Sequence, residues 1–111
     1  EIRKKIIYLY TDVEKAKVLQ RKVLSVAIQD QVPQTEAAIF KLFSTKLHQR
    51  LANVAMDILG REGLFTKEYD KSHANGKWEW SYRSTLVDTI GAGTTEIQKN
   101  TIAKKSLKLP L

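Results

Sequence analysis

Trp78-Glu79-Trp80-Ser81-Tyr82-Arg83-Ser84-Thr85-Leu86-Val87-Asp88-Thr89-Ile90 decides the fold, because its residues suit either a helix or a strand. Its aromatic and β-branched content allows a strand. A strand needs another to pair with, and no second convincing one occurs in the 111 residues. The stretch is therefore read as a short helix and the class as all-α.

Toward the N-terminus the periodicity is plain. Apolar side chains recur at Ile2, Ile6, Leu9, Val13, Ala16, Leu19, Val23 and Val26, spaced by three or four residues, which predicts one amphipathic helix from Ile2 to about Gln29. It stops before Pro33, whose ring disfavours helical geometry in the preceding residue. A second helix is expected from Thr35, read as its N-cap, with Phe40, Phe43, Leu47, Leu51, Val54 and Ile58 on one face and Gly60 at its end. From Arg61 to Lys77 the periodicity fails. Asp70-Lys71-Ser72-His73-Ala74-Asn75-Gly76 is polar and turn-rich, which predicts a loop. On the C-terminal side a last helix is predicted from about Glu96 to Leu107, with Ile97, Ile102 and Leu107 facing inward. Four helices with modest connections, each with one stripe to bury, imply an antiparallel, up-and-down four-helix bundle.

Composition narrows the class. With 42% apolar and 28% charged residues the balance is that of an ordinary soluble domain, expected to bury a workable core. The absence of cysteine excludes disulfides, a thiol nucleophile and thiolate metal sites, and fits a reducing compartment. No apolar run reaches the roughly 18 residues of a membrane span and no signal-peptide pattern occurs, so a cytoplasmic protein without a membrane partner is expected. The net charge of +7 raises the question of nucleic acid. Its runs, Arg3-Lys4-Lys5 and Lys104-Lys105, are short, and no nucleic-acid motif accompanies them, so they are read as solvated helix faces. Attraction of a phosphate-rich small ligand is the alternative. His48 lies on the polar side of the second helix with no partner placed for it. His73 has no second histidine or carboxylate at metal-ligand spacing, so no metal is expected. Trp78, Trp80 and Tyr82 are read as anchoring the loop to the core rather than lining a ligand groove.

The chemistry concentrates in Gly91-Ala92-Gly93-Thr94-Thr95-Glu96-Ile97-Gln98-Lys99-Asn100. Two glycines around an alanine let the backbone approach a ligand closely, and the threonines cap a helix whose first amides point forward. Thr95 and Gln98 have the spacing of a capping box.

This string resembles the C-terminal signature of the acyl-CoA dehydrogenase family, a Gly-Gly-Thr-Ser-Glu-Ile-Gln-like turn before the last helix, with the chain closing on Leu109-Pro110. Leu51-Ala52-Asn53-Val54-Ala55-Met56-Asp57-Ile58-Leu59-Gly60-Arg61-Glu62-Gly63-Leu64 looks like the family helix ending in Leu-Gly-x-x-Gly. Asn75-Gly76-Lys77-Trp78 through Tyr82-Arg83-Ser84 looks like the segment leading into the signature in one bacterial branch. The resemblance covers essentially the whole chain, 1–111, as the C-terminal helical domain of a longer flavoenzyme. Glu1-Ile2-Arg3-Lys4-Lys5-Ile6-Ile7 reads as a helix already under way, so the true start is expected upstream.

What the resemblance implies is concrete. The parent would take a proton from the carbon beside an acyl-CoA thioester while hydride passes to FAD. Thr94 and Glu96 would contact FAD, Gly93 and Ala92 would lie by the acyl-CoA substrate, and Asp57, Gly60 and Arg61 would reach the FAD of a neighbouring subunit. The family usually has Gln where Asp57 stands and Gly where Arg61 stands, so a carboxylate would face a pyrophosphate unless Arg61 or another cation offsets it. Ala92 occupies the place where many members carry the catalytic glutamate, and no catalytic residue is assigned in this chain. The Gly-Ala-Gly-Thr form is similar to isovaleryl-CoA-type members, whose glutamate comes from an earlier helix. Three readings stay open: a base upstream, a base on a partner subunit, or a parent that is not a dehydrogenase. The implied partners are the remaining N-terminal domains and further subunits of a homo- or hetero-oligomer, dimer or tetramer, and the isolated chain is expected to be inactive. The rival functions are a noncatalytic partner subunit of a hetero-oligomer and, more remotely, a basic helical module that binds nucleic acid.

Overall fold

The computed structural model describes residues 1–69 and 71–110; Asp70 of the expected loop lies outside them. Among the described residues the chain is all-helical: α1 (Ile2–Ala27), α2 (Gln34–Leu59), α3 (Lys77–Asp88) and α4 (Thr95–Thr101). The stretch from Trp78 is thus a helix, and the four-helix, all-α class holds.

α1 ends through Asp30, whose φ of +56° reverses the chain ahead of Pro33. Pro33 itself precedes the first turn of α2 and no side chain caps it, so Thr35 lies inside the helix rather than at its cap. Gly60, at φ +55°, ends α2 as expected. The segment read as a loop folds more than its composition suggests, into short 3-10 turns at Gly60–Leu64 and His73–Gly76. α4 continues into a wider π turn at Ile102–Ser106 instead of running regularly to Leu107.

α2 is the hub. α1 packs on one side of it, α3 and α4 on another, and α1 touches neither α3 nor α4. Two ion pairs set the α1–α2 register: Lys5 with Asp57 (3.1 Å) and Arg50 with Asp12, which Lys15 also holds at 3.0 Å. Between the two pairs α1 advances seven residues while α2 retreats seven, which is the signature of antiparallel helices. Such partly exposed pairs contribute about 1 kcal/mol or less, so they fix register more than they hold the helices together. Across α2 the contacts to α3 are also antiparallel, with His48 beside Asp88 and Gln49 donating to the Thr85 carbonyl at 3.4 Å.

Apart from Leu47, the buried side chains of α2 are small. Ala38, Thr45 and Ala52 recur every seven residues, one stripe of the helix, and with Leu47 they are the buried positions of α2. Small side chains let α3 approach closely, but they bury little apolar area. Among the described residues the expected workable core is consequently not found: the buried apolar ones are Ala38, Leu47 and Ala52, while Ile6, Tyr10 (67% exposed) and Val32 (86%) face outward. Ile97 and Leu107, expected inward, are also exposed, as are Trp80 and Tyr82, so of the three aromatics read as anchors only Trp78 is half-buried. The shape agrees, with a radius of gyration of 16.9 Å against roughly 13 Å for a compact chain of this length.

Candidate functional site

The glycine-rich turn is built by the end of α3. Ile90 and Gly91 both donate their N–H to the Val87 carbonyl, at 3.0 and 2.8 Å, closing the helix. Ala92 (φ +54°) and Gly93 (φ +94°) then reverse the backbone. A left-handed conformation costs an alanine roughly 1–2 kcal/mol, so the surroundings must hold Ala92 there. At Gly93 a Cβ would come within 2.5 Å of the Gln98 Nε2. Thr94 follows as the N-cap of α4, its Oγ1 accepting from the Ile97 N–H at 3.1 Å. The capping box expected from Thr95 and Gln98 does not form, because the cap falls one residue earlier. Gln98 instead turns back and donates to the Ala92 carbonyl at 3.3 Å.

One residue of this site was invisible in the sequence. Lys41, half-buried on α2, donates its ammonium to both the Gly91 and the Gly93 carbonyls. All three carbonyls of the turn therefore accept from side chains, two from Lys41 and one from Gln98. The N–H groups of Ala92, Gly93 and Thr94 donate to no group among the described residues. The turn thus directs its acceptors at side chains of the protein. Glu96 is exposed in the first turn of α4.

The second group of predicted residues comes together elsewhere. Asp57, Gly60 and Arg61 line a groove of ≈ 400 Å³ with Asn53, Met56, Leu64 and Tyr82. The Lys5 ammonium sits 3.1 Å from the Asp57 carboxylate, supplying the offsetting cation, and Arg61 is exposed beside them. Of the charged groups lining the groove one is negative, Asp57, and one positive, Arg61, and Lys5 pairs with Asp57 from α1. Lys41 and Asp57 are sixteen residues apart on α2, so the turn and the groove are separated by roughly 24 Å along the helix. They are two surfaces, not one pocket.

The histidines acquire partners that the sequence did not suggest. His48 Nδ1 lies 3.7 Å from Asp88, and His73 Nε2 contacts Glu62, tying the two 3-10 turns together. Among the described residues no three metal-ligating side chains converge. A further groove holds Trp80 with Lys67, Lys77 and Arg83. Glu79 binds Arg83 through two hydrogen bonds, at 2.5 and 3.1 Å, and holds that guanidinium above its ordinary value, while the Thr66 hydroxyl draws the Glu68 carboxyl below its own. No described helix is long and apolar enough to cross a membrane.

Known proteins resemble this chain in sequence and in fold. Acyl-CoA dehydrogenase IpdE1 of Mycobacterium tuberculosis is 36% identical over 74 residues, 65% of this chain and 18% of that protein. Acyl-CoA dehydrogenase FadE26 of the same organism is 29% identical over 75 residues, 68% of this chain and 19% of that protein. In the ChsE4-ChsE5 complex from Mycobacterium tuberculosis, 99% of this chain superposes on 28% of a solved chain with a TM-score of 0.89 at 24% identity. The Tcur3481-Tcur3483 steroid ACAD gives a TM-score of 0.91 at 24% identity, over 98% of this chain and 28% of that one. At such identities the structural likeness concerns the fold. The chain spans under a fifth of the length of the curated relatives it matches. The match to the family itself runs nearly end to end, over residues 1–107, and takes in both the hub helix and the glycine-rich turn; the chain belongs to the acyl-CoA dehydrogenase family, as its C-terminal domain.

Proposed function

We propose that this chain is the C-terminal helical domain of a longer, FAD-dependent cytoplasmic enzyme that dehydrogenates an acyl-CoA thioester, and that it supplies cofactor contacts, part of the acyl-CoA pocket and much of an oligomer interface. The observation that carries this is the polarity of the Gly91–Thr94 turn: the carbonyls of Gly91, Ala92 and Gly93 are engaged by Lys41 and Gln98, while the N–H groups of Ala92, Gly93 and Thr94 have no acceptor among the described residues. Such an edge suits the electron-rich oxygens of a flavin or a thioester.

The residues present fit FAD in charge and in placement. Lys5 pairs with Asp57 from α1, which leaves Arg61 in the groove lining as the cation available to a diphosphate. Gly60, with nothing within 4 Å of where a Cβ would stand, leaves room for a ligand at the groove's edge. Because the groove lies roughly 24 Å from the turn, the two surfaces suit contacts to two cofactor molecules in an oligomer better than to one. Glu96 and the Thr94 backbone would meet one, and Asp57, Gly60 and Arg61 the FAD of a neighbouring subunit. FAD, when bound, accepts the hydride. The exposed apolar faces of α1 and α3 suit burial against the remaining domains and other subunits.

A second reading, a noncatalytic subunit in a hetero-oligomer, is motivated by Ala92, whose methyl cannot accept a proton. Under the first reading the base lies upstream or on a partner. In the full-length protein, Ala92→Ser should therefore leave flavin reduction by an acyl-CoA thioester in place, at a rate lowered by altered turn geometry rather than abolished. Anaerobic bleaching of the visible flavin band by a panel of acyl-CoA thioesters reads this out. Loss of all bleaching in a folded, FAD-loaded variant would give the turn a chemical role; a wild-type protein that takes up no FAD would overturn the proposal.

A further inference from the structure

We infer that Lys41 is the positioning residue of the cofactor-facing turn, a role resting on the reading of the turn just proposed. Three observations converge. The Lys41 side chain crosses from the N-terminal third of α2 to a turn fifty residues away, and its ammonium joins the two carbonyls that flank Ala92. Ala92 holds a left-handed φ of +54° that an alanine adopts at a cost. Gly91, by contrast, shows no positive φ, and its Cβ position would meet nothing closer than the Val87 carbonyl at 3.4 Å, while Gly93 adopts its positive φ freely as a glycine, so the tension of the turn is concentrated at Ala92.

An ammonium is a compact cation with three donors, which is what two converging carbonyl oxygens require. Without it the Gly91 and Gly93 carbonyls would repel each other across the turn, and Ala92 would relax to an ordinary backbone conformation. That rotation would swing carbonyl oxygens toward the face that now offers only N–H groups. Lys41 touches neither flavin nor substrate in this account; it acts through the backbone of the turn. Charged hydrogen bonds of this kind are strong enough that their removal changes local equilibria by about tenfold or more.

The test compares wild type, Lys41→Met and Lys41→Met/Ala92→Gly in the full-length protein. Methionine keeps the length and apolar stem of lysine while removing the charge, and glycine removes the cost of the left-handed conformation. The first readout is hydrogen–deuterium exchange of the flavin-free protein. The segment containing the Gly91 and Thr95 N–H groups should exchange about tenfold faster in Lys41→Met, with segments from the middle of α2 and α3 unchanged. The second is FAD titration, in which the dissociation constant should rise by about tenfold in Lys41→Met. The added Ala92→Gly should reverse most of both effects. Unchanged exchange of the turn, or loosening of α2 and α3 along with it, overturns the inference. So does a loosened turn with unaltered FAD affinity. A wild-type protein that binds no FAD defeats the proposed function instead, while the exchange comparison still decides whether Lys41 holds the turn.

Discussion

Ala52→Leu in the full-length protein should lower stability by about 1–3 kcal/mol, among the largest losses available from a single apolar substitution in this chain. Ala52 is 0% exposed and sits under α3, in the stripe of small residues that lets α3 approach α2. Three added carbon atoms there must push the helices apart or force a strained rotamer. Thermal melting followed by far-ultraviolet circular dichroism measures the effect, with Lys22→Ala as the reference, since Lys22 is an exposed polar residue of α1 and its truncation should stay within about 0.5 kcal/mol of wild type. A leucine variant that melts with the reference would show that α2 and α3 do not pack through this stripe.

A loss of about 2 kcal/mol or more is expected from Gly76→Ala, for a backbone reason. Ala74, Asn75 and Gly76 all have positive φ, and at Gly76 (φ +67°) a Cβ would stand 2.5 Å from the Lys67 backbone nitrogen and 2.7 Å from the Thr66 carbonyl carbon. Those atoms cannot rotate away as a side chain would. Gly60→Ala supplies the comparison, because Gly60 has a similar φ of +55° with nothing within 4 Å. It should lose about 1 kcal/mol, the conformational part alone. The difference between the two melts isolates the steric contribution of the contact between Gly76 and the Thr66–Lys67 backbone. Equal losses would mean that this contact is not formed.

The helices were legible because their signals are local. The three- and four-residue spacing from Ile2 to Val26, Pro33 before α2 and Gly60 after it are read within a few residues, and the structure has each element there. The class of the Trp78–Ile90 stretch was decided by the want of a pairing strand, and α3 occupies it. Burial was misread for the same reason that periodicity was useful. A helical stripe reports that some surface will cover it but not which, and here Ile6, Ile97 and Leu107 turn their apolar side chains away from the chain's own core. The cap of α4 was misplaced by one residue because Thr94 and Thr95 both suit it, and only the left-handed Ala92 and Gly93 before them choose Thr94. In the candidate site the turn itself was plain from its glycines, while the residues that complete it were not. Lys41 and Lys5 reach their partners across some fifty positions, and one lysine among many in the sequence carries no mark of that. Lys5 matters because it pairs with Asp57, supplying the cation that the proposed contact between this carboxylate and a diphosphate would require.

The central claim, that the signature turn and the start of α4 hold FAD, is tested most directly by melting full-length wild type and the Thr94→Ala/Glu96→Ala double variant side by side, flavin-free and FAD-saturated. Loss of a helix cap costs roughly 0.5–2 kcal/mol whether or not flavin is present, whereas loss of ligand contacts removes stabilisation only when the ligand is there. The account predicts a modest, cap-sized drop in the flavin-free melt, a clearly larger drop in the FAD-saturated melt, and a lower flavin content in the purified variant. Equal drops in both melts with unaltered flavin content would contradict it, and would leave Thr94 and Glu96 as a helix start and nothing more.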